Sequence, residues 1–194
     1  TYTYYMANNY FNQNYNKALA DRYENAGRQI VAEYLKSQGY HEAVENDDLC
    51  TTRYHFTTDT FAPHDMTVTG TTESAICVCE IKNRLKKYDS WGVEKKKVQE
   101  LERFRDEYER EPKFIYIYRN ELYVAPLSVV VEQGTEGIMH CKHYSTASGG
   151  DAVGKEVYYL PLSQWKMTNL CDRIPSYFNL YNSVMSFHEK LNDN

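Results

Sequence analysis

Apolar positions along this chain follow two periods, one near 3.6 and one of 2, and the switches between them mark the elements. From Lys17 to Gln38 the spacing is helical, with Leu19, Tyr23, Ala26, Ile30 and Tyr34 on one stripe and Gly39 at the stop. An acidic turn, EAVENDD, follows, and CTTRYHFTT (50–58) has strand composition. After a proline-containing loop, 64–69 and 75–82 read as strands joined by the turn GTTES, an antiparallel hairpin. The helical period returns over 91–111, where Val98, Leu101, Phe104 and Tyr108 align and Pro112 ends the run. KFIYIY, a turn at Arg119-Asn120 and ELYVAPL form the densest strand signal; SVVVEQ fits a short helix or a strand equally. IMHCKHY and KEVYYLPL read as strands around a loop, and the tail from Ser163 reads as helix with a break at Pro175.

This order predicts an α/β fold: a mixed β-sheet flanked by helices in the sequence α-β-β-β-α-β, with C-terminal strand and helix additions. Residues 1–16, rich in Asn and Tyr, are expected to be irregular, and 17–194 to form a single domain with its core within about 17–125. No linker or repeat divides the chain.

Composition adjusts this only at the margins. The 19 tyrosines suit half-wet sheet faces and binding surfaces, with Tyr116, Tyr118 and Tyr123 as candidates for stacking on bases. No run of about 18 apolar residues is present, so no membrane span is expected. The start, TYTYYMANNYFNQNYNK, lacks the features of a secretion signal, and a cytoplasmic setting is expected. The odd set Cys50, Cys77, Cys79, Cys141 and Cys171 has no disulfide-framework spacing and reads as reduced.

Charge matters more. The chain carries −5 overall, yet residues 82–97 hold seven basic side chains against Asp89 and Glu94, a local +5. Such a run is either a solvated helix face or a local grip on a phosphate backbone.

The chemistry concentrates at PHDMTVTGTTESAICVCEIKNR (63–84). Alternation along 75–82 puts Ile76, Val78, Glu80 and Lys82 on one face and Cys77, Cys79 and Ile81 on the other. A core strand thus ends in a carboxylate and an ammonium side by side. A hairpin turning at GTTES would bring Asp65 opposite Glu80. Two carboxylates suit a hard divalent cation, and an adjacent lysine suits work on a water attacking phosphorus. The bland alternative is a surface salt bridge at a hairpin end. A zinc reading of His140-Cys141-Lys142-His143 lacks a second ligand pair, and His55 and His64 lack the partners of a histidine-metal nuclease.

Asp65 … Glu80-Ile81-Lys82, in a hairpin between two helices, resembles the PD-(D/E)XK nuclease superfamily, which includes restriction enzymes, Holliday-junction resolvases and phage nucleases. The resemblance implies a restriction-endonuclease-like core. It also implies Mg2+ or Mn2+ held by Asp65, Glu80 and the Ile81 carbonyl, with Lys82 as catalytic lysine. An acid expected on the preceding helix falls at Arg28, and Glu24, one turn earlier, is the substitute, with Glu33 behind it. From the following helix Lys97 is expected to point to the site, with Lys96 and Gln99 as rivals. Pro63 is separated from Asp65 by His64, one residue more than the familiar Pro-Asp.

The implied activity is endonucleolytic hydrolysis of DNA, rather than RNA, giving 5′-phosphate and 3′-hydroxyl ends. Arg84, Lys86, Lys87, Lys95, Lys96 and Lys97 would bind nucleic acid. A homodimer would serve cleavage of two strands, and a phage-encoded enzyme fits the same reading. The alternative is a catalytically inactive protein of the same fold that binds nucleic acid or a partner, such as a phage packaging component.

Overall fold

The computed structural model describes residues 13–38, 42–44, 66–69, 75–84, 86–109, 111–141 and 153–185. Asp65, His55, His64, His143 and the expected strand over 50–58 lie outside them. Helix α1 (Gln13–Ser37) is followed by β1 (Glu42–Val44), β2 (Met66–Thr69), β3 (Ala75–Asn83) and β4 (Ser90–Glu94). Then come α2 (Lys95–Tyr108), β5 (Lys113–Tyr118), β6 (Glu121–Pro126) and α3 (Leu127–Gln133). The chain continues through β7 (Thr135–Cys141), β8 (Val153–Pro161), β9 (Lys166–Asn169) and α4 (Tyr177–Val184), with single 3-10 turns flanking β9.

Among the described residues the strands form a mixed sheet ordered β1-β2-β3-β5-β6-β9 and a smaller antiparallel sheet ordered β4-β8-β7. β3 and β5 run parallel, with α2 on the crossover between them; the other pairings are antiparallel. The β5–β6 hairpin turns at Arg119-Asn120 as expected, with Arg119 left-handed at φ 52°.

Alternation divides the main sheet between two cores. Cys79, Ile81, Ile115, Ile117 and Leu122 pack with Tyr23, Ala26, Ile30 and Val31 of α1 and Tyr177 and Tyr181 of α4. Phe114, Tyr116, Tyr123 and Ala125 face the other way, onto Trp91, Val93, Val98, Leu101, Leu127, Leu160 and Trp165. Tyr116 and Tyr123 are therefore core residues and do not offer their faces to bases. On the α1 side, Gly27 brings helix and strand together. A Cβ there would meet the Asn83 Cβ at 3.2 Å and Ile81 Cγ2 at 3.4 Å. Asn83 Nδ2 also donates to the Tyr23 carbonyl at 3.1 Å.

Four sequence expectations are corrected. α1 begins at Gln13, inside the stretch read as irregular. Residues 91–94 are strand, not helix: WGVE has β-forming Trp and Val around a helix-poor Gly, and it pairs with Tyr159, Tyr158 and their neighbours on β8. EAV of the acidic turn is strand β1, paired with β2. The tail contributes β9, which closes the edge of the main sheet beside β6, before its helix begins at Tyr177. Both β1 and β9 are short edge strands whose state is decided by pairing rather than by their own pattern.

Candidate active site

Glu80 and Lys82 lie on the β3 face turned toward α2, in parallel register with Phe114 and Tyr116 of β5. Glu80 is buried, 4% exposed, which is expensive for a carboxylate unless positive charge compensates it. Two ammonium groups do so. Lys82 Nζ stands 3.3 Å from Glu80 Oε1, and Lys97 Nζ stands 3.4 Å from Oε2. Lys97 belongs to the first turn of α2, one residue before Val98 and four before Leu101, which anchor the helix in the core. Its Nζ also lies 3.4 Å from Glu100 Oε2, one turn along the same helix.

A second ion pair borders this cluster. Glu94 closes β4 and accepts a hydrogen bond from Lys155 of β8 at 2.9 Å. Burial pushes the Glu94 pKa up, but the Lys155 hydrogen bond and the charges of Lys155, Lys82 and Lys97 outweigh that and hold it below the ordinary value. Tyr116 senses the same charges. Burial raises its pKa and Glu80 adds to the rise, against the opposing pull of Arg84 and Lys82. Its hydroxyl donates to the Gly92 carbonyl at 3.0 Å, tying β5 to β4 beneath the site.

Of the residues singled out from sequence, the structure brings together Glu80, Lys82 and Lys97. Ile81 turns its side chain into the α1 core, which leaves its backbone beside Glu80. Glu24 is half-buried on α1, the helix that covers the opposite face of β3, and Arg28 is buried at 6% exposure on the same helix. Glu33 pairs with Lys36 at 3.2 Å on the surface. Among the described residues no group of three or more His, Cys, Asp or Glu forms a ready metal cage.

The basic run is less exposed as charge than its sequence implies. Arg84 stacks on Tyr116, 4.6 Å from the ring centre, with Nη2 3.5 Å from the Gly92 carbonyl. Lys87 pairs with Glu121 at 2.7 Å, Lys95 with Glu136 at 2.8 Å and Lys97 with Glu80. Lys86 and Lys96 are exposed. Sequence reasoning missed Glu100, Glu94 and Lys155 as members of the cluster. The spacing of Lys97 and Glu100 could have shown the first, since i and i+3 share a helix face. Lys155 required knowledge of the β4–β8 pairing.

No protein-family model matches the chain, and no curated protein matches it significantly. Among solved structures, it is similar to a Holliday junction resolvase from the archaeal hyperthermophile Archaeoglobus fulgidus, at 13% identity and a TM-score of 0.42. That alignment covers 75% of this chain and 88% of the other. The described part of the chain holds no helix long and apolar enough to cross a membrane.

Proposed function

We propose that this chain is a divalent-metal-dependent endonuclease with a restriction-endonuclease-like core, hydrolysing phosphodiester bonds in DNA to 5′-phosphate and 3′-hydroxyl ends. The observation that carries the reading is Glu80, a buried carboxylate at the end of a core strand, with ammonium groups at 3.3 and 3.4 Å on its two oxygens. A carboxylate so compensated is a place built for positive charge, and its oxygens fit a hard cation.

Glu80 alone does not complete a metal site. Asp65 is the proposed second ligand, with the Ile81 carbonyl as a third; Glu24, on the helix across β3, would have to reach around the strand end to serve as the helix acid. The hairpin register supports Asp65: Met66, the next residue in the sequence, is paired with Cys79, the residue before Glu80. Bound Mg2+ or Mn2+ would lower the pKa of a coordinated water and offset charge gathering on the phosphate. Lys82, whose side chain is 31% exposed, can reach solvent and substrate. It would orient the attacking water and stabilise negative charge at phosphorus. Lys97 holds the other Glu80 oxygen and fixes the carboxylate.

A second reading is a protein of the same fold that binds DNA or a partner without cutting. Buried Arg28, where an acid is expected, favours it. Cleavage of plasmid and branched DNA with Mg2+ or Mn2+ separates the two, comparing wild type with Glu80→Ala and Lys82→Ala. The nuclease reading expects each substitution to lower the rate by about 100-fold or more. Cleavage that survives both substitutions would rule out this site. Absence of cleavage by folded wild type, with DNA binding retained, would favour the binding protein.

A further inference from the structure

We infer that Tyr88 and Tyr118 form a stacking platform for unpaired DNA bases, at the same end of the main sheet as Lys82. The inference rests on the reading of DNA as the ligand and is independent of any metal. It names the class of that DNA: a strand whose bases are free of a duplex stack, as at a branch, a flap or a single-stranded stretch.

Tyr88 is 54% exposed and adds to neither core. A single exposed aromatic is ordinary on a protein surface; what distinguishes this one is how firmly it is presented. Its neighbours on both sides are fixed. Lys87 pairs with Glu121 at 2.7 Å, and the Asp89 carbonyl accepts from the Leu162 N–H at 2.8 Å. Lys86 Nζ lies over the Tyr88 ring, 5.3 Å from its centre. A ring held in this way loses little freedom when a ligand stacks on it.

Tyr118 ends β5, half-buried, with the Arg119 guanidinium 5.7 Å from its ring centre. Glu121, which holds Lys87, is the cross-strand partner of Tyr118, so both tyrosines border one corner of the sheet. The turn beside them is fixed as well. The Leu170 N–H donates to the Asn120 carbonyl at 2.7 Å, and the Tyr177 hydroxyl donates to the Arg119 carbonyl at 2.7 Å. Tyr118 follows Tyr116, the register partner of Lys82, by two residues on the same face, about 7 Å further along the strand.

Two rigid tyrosines, each with a cation at its ring, suit the flat face of a base. The charged side chains around them, Lys86, Lys87, Asp89 and Arg119, are the types depleted from the centre of a protein interface, apart from arginine. Lys87 is already paired and Asp89 is an exposed acid beside the ring, so stacking rather than charge supplies the contact. Bases inside a duplex are covered on both faces by their neighbours and cannot stack on an outside ring, which restricts the platform to unpaired ones.

Fluorescence anisotropy of the whole chain with labelled oligonucleotides tests this, in EDTA so that neither cleavage nor metal enters. The probes are a single strand, a blunt duplex of the same length and an abasic strand with the same backbone; circular dichroism checks the folding of each variant. Tyr88→Ala is expected to weaken single-strand binding about tenfold and duplex binding less than about twofold. Tyr88→Phe, which keeps the ring, stays within about twofold of wild type. The abasic strand binds wild type about tenfold more weakly than the normal strand and is insensitive to Tyr88→Ala, a distinction that a merely structural role would not produce. Tyr118→Ala gives the same pattern; should it fail to fold, Tyr118→Leu replaces it, filling the space without a ring. No loss in Tyr88→Ala, or equal losses on strand and duplex, overturns the platform while leaving DNA as the ligand. Wild type that binds none of the three probes refutes the DNA reading and the platform with it, and leaves this corner to a protein partner.

Discussion

Replacing Lys97 by Met should destabilise the metal-free protein far more than replacing Lys82 by Met, although both ammonium groups contact Glu80. At 3.4 Å, each of the two Lys97 contacts carries an attraction of about 5 kcal/mol at an effective dielectric constant of about 20. Most of this offsets the desolvation of the three groups, so the net value of the cluster is small. The loss on deleting its centre is not small. It leaves Glu80, 5% exposed, and Glu100, 19% exposed, as neighbouring carboxylates without the ammonium group between them. Breaking a buried pair from one side costs about 3–5 kcal/mol, and the partial exposure of Glu100 and the retained Lys82 bring the expectation to about 2–3 kcal/mol. For a chain of this length that is a fall in Tm of roughly 5–10 °C. Lys82→Met leaves Glu80 with Lys97 and removes a more exposed partner, for an expected loss of about 0.5–1 kcal/mol.

Equilibrium urea unfolding at pH 7 and low salt would measure both, with unchanged m-values as the condition for comparison. Lys97→Met/Glu100→Gln should recover part of the loss, since one of the stranded charges is gone. Mn2+ should narrow the gap further if it binds the folded state. The reasoning is refuted if the two single variants are destabilised equally, or if Lys97→Met lies within about 0.5 kcal/mol of wild type, the range of an ordinary surface substitution.

Three further outcomes are expected. Glu94 is held below the ordinary carboxylate value of 4.5, so its pairing adds stability above that pH, lost as pH falls through the folded-state value. With both partners roughly a third exposed, Lys155→Met should cost about 0.5–1 kcal/mol at pH 7, and its gap to wild type should close on acidification in a pH series of urea melts. Gly27→Ala gains helix propensity of about 1 kcal/mol but drives a Cβ against Asn83 and Ile81, so thermal unfolding should show net destabilisation rather than the usual gain. Of the six cations at 84–97, Arg84 is held by Tyr116 and the Gly92 carbonyl, and Lys87, Lys95 and Lys97 are paired with carboxylates. If the chain binds DNA, the slope of log K against log salt from this run should then be shallower than the about −5 that six phosphate contacts would give.

The sequence carried β3 and its chemistry because alternation is a local signal: 79 and 81 apolar, 80 and 82 charged, with nothing long-range needed to tell the faces apart. It carried Lys97 because the Val98–Leu101 stripe fixes which side of the helix is inward, and both are buried. The false start of that helix has the same origin. Trp91 lies two helical turns before Val98, in phase with the stripe, and only its pairing with Leu160 reveals a strand. Glu100 and Lys155 were hidden for different reasons. A helix carboxylate looks solvated until the strand beneath it supplies charge, and Lys155 reaches Glu94 across 61 residues of sequence. Asp65, on which the proposed metal site depends, is outside the described residues.

The start of α2 runs against the usual charge preference of helix ends. Helix N-termini favour negative side chains, because the unpaired N–H groups there carry partial positive charge. Here Lys95, Lys96 and Lys97 occupy the first turn, which contains no acid. Glu94, at the cap position, makes no side-chain capping bond and gives its carboxylate to Lys155 instead. Forgoing that cap costs about 1 kcal/mol, and the lysines add repulsion to it. Other acids offset the conflict: Glu136 of β7 for Lys95, and Glu80 of β3 and Glu100 of the next turn for Lys97. Local rules are broken in this way where a site needs what stability does not. Positive charge at this helix end is what a buried Glu80 requires, and with Lys82 it concentrates two ammonium groups where, on the proposed nuclease reading, a phosphodiester would develop negative charge. Stability alone would have placed an acid at the start of α2 and an apolar residue at position 80.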